Sequence, residues 1–306
     1  MVPREQVHYP RMTWVRPLVI IPTYNEVENI ERILRRISES LPEAGVLVVD
    51  DGSPDGTGDL VKRVAAELPD VHLMSRESKS GLGSAYRAGF VWGMDHGYDA
   101  LIEMDADFSH DPGALPALLA PLHEGYDVAI GSRYVKGGHV PNWARHRHLL
   151  SQGGNRYASF VLGLHVSDST AGFRAYTADI MSKLDLAIIR AEGYGFQIEM
   201  TYRCKQQGAR IKEVPITFVD RVAGESKMSS RIVFEALALV TWWGLGRITR
   251  GIRRPSAPSY RRPLEPVPSA TSTSTSTLPP TRPPTRASNS KSPSTSAGPS
   301  DSVRSA

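Results

Sequence analysis

Asp105 and Asp107 stand one residue apart, directly after the short apolar run Ala100-Leu101-Ile102-Glu103-Met104. A run of that length reads as a buried strand. Carboxylates at the carboxyl end of such a strand lie where open α/β sheets bind ligands. Two of them at i and i+2 can converge on one hard divalent cation. Aspartate is also common in plain turns, so the pair alone reads equally as a polar turn or a metal site.

Two other strand ends bear on that choice. Pro22-Thr23-Tyr24-Asn25-Glu26 follows a β-branched run. Asn25 reads as the cap of the next helix, with Glu28 in its first turn. Capping does not account for Tyr24 and Glu26, which could stack on and hydrogen-bond a flat polar ligand. Asp50-Asp51-Gly52-Ser53-Pro54-Asp55-Gly56 is a turn by its glycine and proline content. An ionised Asp51 at the end of a buried strand demands a partner. A ligand's amide, ribose or base donor would supply one. Lys79-Ser80-Gly81-Leu82-Gly83-Ser84 precedes a helix, where free N–H groups favour an anion. It matches neither the P-loop nor the dinucleotide fingerprint, which argues against an NTPase or a dehydrogenase.

The elements that must position these residues alternate. Apolar runs at 18–21, 46–49, 71–74, 100–104 and 127–130 read as strands. Helical spacing links Ile30, Ile33, Leu34, Ile37 and Leu41, then Leu60, Val61 and Val64, then residues 83–96 and 114–123. This βαβ alternation predicts an α/β fold, a mostly parallel sheet with helices on both faces. Beyond residue 150 the pattern is less regular. Helices are expected at 147–162 and 196–207, and short strands near 172–176 and 210–219.

The chain has 306 residues and a formal net charge of +4. From Gly251 onward there are eight Lys/Arg and two Asp/Glu, a net of +6, leaving −2 for residues 1–250. The basic character belongs to the tail, so no nucleic-acid-binding domain is expected. The one cysteine, Cys204, excludes an internal disulfide framework and a cysteine-rich zinc site. His139, His146, His148 and His165 fit no standard zinc spacing and read as a polar loop. We expect a flexible arm over 1–14, a catalytic domain over 15–230, an apolar interface helix over 231–250 and a disordered basic tail over 251–306. The Ile232–Ile248 segment is shorter than the roughly 20 apolar residues of a spanning helix. With Trp242 and Trp243 followed by arginines, it suits a membrane surface. No signal-peptide core is present in the first residues.

Residues about 17–230 closely resemble the polyprenol-phosphate (dolichol-phosphate) mannose synthases of glycosyltransferase family 2. The matching stretches are Pro22–Glu26, Asp50–Gly56, Gly81–Gly83, Met104–His110, Gly131–Tyr134, Asp168–Arg174, Phe218–Arg221 and Gly224–Lys227. The resemblance implies a GT-A (Rossmann-like) fold, GDP-mannose as donor and a polyprenyl phosphate as acceptor. It implies that Pro22, Tyr24, Glu26 and Asp51 hold the guanosine end, with Val49 alongside. It implies Mg²⁺ or Mn²⁺ on Asp105 and Asp107, with the Ala106 backbone against the donor. Arg133, Arg221 and Lys227 would face phosphates, and Arg147 the lipid phosphate. Some relatives, notably archaeal ones, carry a glutamine two residues after the second aspartate as a further metal contact. Ser109 stands there in this chain, which leaves a third protein ligand open.

The acceptor implied is a phosphate monoester with a second pKa of about 6, already an anionic nucleophile near neutral pH. No strong general base is then required, and Glu199 reads as a core or salt-bridge residue. Attack opposite the leaving group predicts inversion. No Gln-x-x-Arg-Trp motif of processive relatives is present. The resemblance further implies a peripheral protein on the cytoplasmic face of the membrane, and leaves an integral-membrane partner protein open. Two alternatives stand beside this reading. One is the same fold using UDP-glucose or a hydroxyl acceptor, and the other a catalytically idle lipid-binding subunit.

Overall fold

Buried alternation organises the chain. In the computed structural model, which describes residues 16–141, 143–219 and 230–249, the first strands are apolar on both sides. Such strands must be covered on both faces. Strands β1 (Pro17–Thr23), β2 (Gly45–Asp50), β3 (Val71–Ser75) and β4 (Ala100–Glu103) are joined by helices α1 (Ile30–Ser40), α2 (Thr57–Ala65) and α3 (Leu82–Asp95). Helix α4 (Leu115–His123) leads into β5 (Val128–Ser132). Helix α5 (Arg145–Leu162), β6 (Arg174–Thr177), α6 (Ala178–Ser182), α7 (Gly193–Gln206), β7 (Ile211–Pro215) and α8 (Ser230–Thr249) follow.

The seven strands form one sheet in the order β3-β2-β1-β4-β6-β5-β7. All pairings are parallel except those of β6, which runs antiparallel to both β4 and β5. Alternate residues of each strand feed two cores. Leu18, Ile20, Leu47 and Val49 pack with residues of α3, α5 and α7. Val19, Ile21, Val46 and Val48 pack with α1, α2 and α4.

One expectation needs correction, and one element was not foreseen. Asn25 does not cap α1, since Asn29 precedes the helix. Asn25 instead adopts a left-handed conformation (φ 61°), and its N–H donates to the Ser53 hydroxyl. The short helix α6 was not expected from the sequence, although Thr177 caps it by accepting from the Ile180 N–H. Residues 1–14 and 251–306, with Arg221 and Lys227, lie outside the described residues.

Candidate active site

The carboxyl ends of β1, β2 and β4 open into one cavity of about 500 Å³. Pro22, Tyr24, Glu26, Asp51, Asp105, Ala106, Asp107, Arg133 and Arg147 all line it. The fold thus gathers residues spread over more than a hundred positions. Val49 does not reach the wall. Its side chain is wholly buried in the core, while its backbone pairs with Pro22 and Met74 on the neighbouring strands.

Tyr24 is an exposed ring with the Lys79 ammonium 4.3 Å from its centre. Glu26 accepts from the Asn29 amide at 3.0 Å, and its N–H donates to the Thr57 hydroxyl. Asp50 is an internal brace. Its carboxylate accepts from Thr23, and from both the backbone and the hydroxyl of Ser53. Asp51 already has a protein partner, contrary to expectation. Arg76 Nε donates to it at 2.6 Å, and the Ser80 N–H at 3.3 Å.

The helix start at Gly81–Gly83 differs too. Glu192 Oε2 accepts from the Gly83 N–H at 2.7 Å, so the chain's own carboxylate fills that anion position. Gly81 must be glycine at this junction. Its φ is +95°, and a Cβ there would lie 2.4 Å from Glu192 Oε2.

Asp105 and Asp107 are half-buried and face the cavity. The Tyr86 hydroxyl donates to Asp105 at 3.3 Å. Burial, and then the Asp105 charge, push the Tyr86 phenol well above its ordinary value, so it stays a donor. Asp107 accepts from the Ser109 N–H at 3.0 Å. Phe108 between them holds φ 58°, an uncommon conformation for a bulky residue. The buried Ser109 hydroxyl lies on the cavity wall and finds no hydrogen-bond partner among the described residues. Two hard carboxylates beside a spare hydroxyl fit Mg²⁺ or Mn²⁺ better than a soft ion. No cluster of three or more His, Cys, Asp or Glu able to hold a metal occurs among the described residues. Diphosphate oxygens and water would have to complete the shell.

Beneath the pair lies a buried polar layer that local sequence patterns do not mark. Glu103 accepts from the Gln197 amide at 2.7 Å. Burial pushes its carboxyl up to about 7, against the pull of Arg174 and Gln197. Arg174 sits opposite Glu103 in the β4–β6 register. It is fully buried and donates to the carbonyls of Ser169, Ala171 and Gln197 and to the Thr201 hydroxyl. Arg174 thereby fixes the 168–172 loop to α7.

The far wall is cationic. Arg133 is buried and forms a two-pronged pair with Asp168, with Nε and Nη2 each 2.7 Å from a carboxylate oxygen. Burial works against the Arg133 charge, but Asp168 outweighs it and holds the pKa above the ordinary value. Burial would likewise raise the Asp168 carboxyl, and the Arg133 charge outweighs it and holds that group low. Asp168 is therefore the residue that sets Arg133, and only its place in a matched motif hinted at it. Arg147 lies over the Trp143 ring at 4.1 Å. Glu199 is buried and paired with Arg203, away from the cavity.

Residues 18–185 match Glycosyl transferase family 2. The chain is 53% identical over 239 residues to undecaprenyl-phosphate mannosyltransferase of Micrococcus luteus, covering 78% of this chain and 98% of that protein. It is 51% identical over 237 residues to polyprenol monophosphomannose synthase of Mycolicibacterium smegmatis, covering 77% and 89%. Glucosyl-3-phosphoglycerate synthase from Mycobacterium tuberculosis, solved with Mn²⁺, UDP-glucose and phosphoglyceric acid, shares the fold. That likeness has a TM-score of 0.55 at 20% identity, over 76% of this chain and 80% of that one. The mixed sheet and its strand-end cavity are those of a GT-A-type glycosyltransferase. The chain belongs to glycosyl transferase family 2, among its polyprenol-phosphate mannosyltransferases.

Proposed function

We propose that the protein transfers mannose from GDP-mannose to a polyprenyl phosphate, giving polyprenyl-phosphate β-mannose and GDP. One observation carries this reading. A single cavity joins the carboxylates at three strand ends to Arg133, just after β5, and Arg147 of α5. One end suits a nucleotide diphosphate and the other a second phosphate. The names of the two bacterial relatives support mannose and a polyprenyl phosphate as the groups joined.

In this reading Tyr24 offers a ring face to the base, and Glu26 and Asp51 accept from its donors. A divalent cation, Mg²⁺ or Mn²⁺, held by Asp105 and Asp107 would neutralise charge on the leaving diphosphate. Arg147 meets the acceptor phosphate, where a guanidinium fork suits its oxygens. Arg133, locked by Asp168, holds a fixed guanidinium on the cavity wall beside it. Arg221 and Lys227 are assigned to phosphates by resemblance alone. An acceptor oxygen forms the new bond to the anomeric carbon from the face opposite GDP. The old carbon–oxygen bond breaks, and its electron pair leaves with GDP. The acceptor is already anionic, so no side chain needs to remove a proton. Inversion follows from that geometry.

The test is transfer of label from GDP-mannose to polyprenyl phosphate by the purified protein. A chelator should stop it, and Mg²⁺ or Mn²⁺ restore it. Transfer from UDP-glucose with none from GDP-mannose would overturn the donor assignment.

A further inference from the structure

We infer that the Gln197 carboxamide accepts a hydrogen bond from a hydroxyl of the donor sugar, and so helps decide which sugar is transferred. The inference rests on the mannosyl transfer proposed above and names a residue that reads the sugar. In that reaction the anomeric carbon must lie between the diphosphate at Asp105 and Asp107 and the acceptor phosphate at Arg147. The sugar ring therefore lies against the stretch of wall that joins those two ends.

That stretch is the 170–172 segment. Thr170 Oγ1 accepts from Arg133 Nη2 at 2.8 Å, on the cationic side. Two residues on, a Cβ at Gly172 would lie 3.8 Å from Asp105 Oδ2 and 3.9 Å from Gln197 Nε2. With no side chain at Gly172, a ligand can approach that junction closely. Thr170, Ala171, Gly172 and Gln197 all line the cavity.

Gln197 is held from two directions. Its Nε2 donates to Glu103 Oε2 at 2.7 Å, and its backbone carbonyl accepts from Arg174 Nη1 at 3.0 Å. The residue is only 3% exposed, yet its side-chain carbonyl finds no hydrogen-bond partner among the described residues. A buried acceptor left unpaired is costly, and native structures pair nearly all of them. The amide N–H₂ is committed to Glu103, so what this wall lacks is a donor. A sugar hydroxyl supplies one without adding charge beside Asp105. Glu103 is wholly buried and does not line the cavity, so it acts as a positioning residue that orients the amide.

A site built to hydrogen-bond a hydroxyl rejects analogues that lack it. The test is transfer to polyprenyl phosphate from GDP-mannose and from analogues each lacking a different sugar hydroxyl. The readout is kcat/KM for GDP-mannose divided by that for the analogue, on the same protein, so a smaller folded fraction cancels. Wild type should show a penalty of about 10-fold or more for at least one analogue. Gln197→Met keeps the volume without the acceptor, and Gln197→Asn withdraws the acceptor by one methylene. In both, that penalty should fall to about 2-fold or less. Glu103→Leu should lower it too, and Glu103→Gln, which still offers Nε2 an acceptor, should restore it. Calorimetric binding of GDP with Mn²⁺ should be the same in wild type and Gln197→Met. Weaker binding in the variant would put the carbonyl on the metal instead and overturn the inference. Equal penalties in wild type and Gln197→Met, or a wild type that takes every analogue as well as GDP-mannose, would overturn it alone and leave mannosyl transfer standing. No transfer from GDP-mannose by wild type would overturn the proposed function and the inference with it.

Discussion

Asp168 and Arg133 form a charge pair almost wholly removed from water. Removing one member of such a pair leaves the other uncompensated, at a cost of about 3–5 kcal/mol. Asp168→Asn should therefore lower the melting temperature clearly at pH 7. Asp168 is held below its unfolded value of about 3.9. Its contribution is complete above that value and is lost as pH falls through the folded pKa. Melting curves across pH 2–6 should fall less steeply for Asp168→Asn than for wild type, and equal melting of the two proteins at pH 7 would contradict the pairing. Asp107 behaves differently, because it is half-buried and faces the cavity. Asp107→Ala should leave folding nearly intact and reduce mannosyl transfer about 100-fold or more, if several kcal/mol of charge stabilisation is lost. Undiminished transfer would remove the carboxylate from the reaction. The strand-end residues Tyr24, Asp51, Asp105 and Asp107 were legible because polar groups there interrupt apolar runs. The partners Arg76, Asp168, Glu192 and Gln197 were not. Each acts across 25 to 109 positions of chain, and no local pattern encodes such pairing.

Among the elements, α3 depends on a carboxylate from outside its own segment. Glu192 satisfies the Gly83 N–H at its first turn. Loss of a capping acceptor typically costs about 1 kcal/mol. Glu192→Ala should show that loss in urea denaturation, and Glu192→Gln should recover most of it. Equal stability of Glu192→Ala and wild type would show that water replaces the cap. Strands β1, β2 and β4 could be located from sequence because burial on both faces makes them continuous apolar runs. Strand β6 was only approximately located. It is four residues long and opens with the buried Arg174, whose partners are carbonyls and a hydroxyl rather than apolar side chains. Its antiparallel direction has no signature in so short a segment.

At the scale of the whole molecule, β6 constrains the order of assembly. Strand β4 has β1 on one side and β6 on the other, and β5 depends on the same β6. Glu103 and its register partner Arg174 are 71 positions apart. During synthesis at roughly 5–20 residues per second, the β4 edge would stand open for about 4–14 s after it emerges. The ribosome therefore delivers a four-stranded half-sheet with an unpaired flank, a template for wrong pairing. A fragment ending after β5 should aggregate, whereas one continuing through β7 to residue 219 should stay dispersed by light scattering. A dispersed, monomeric short fragment would show that the open edge is protected in another way. The late strand that carries Arg174 is thus also a checkpoint of biosynthesis: until it arrives, the β4 edge of the half-built sheet has no strand beside it.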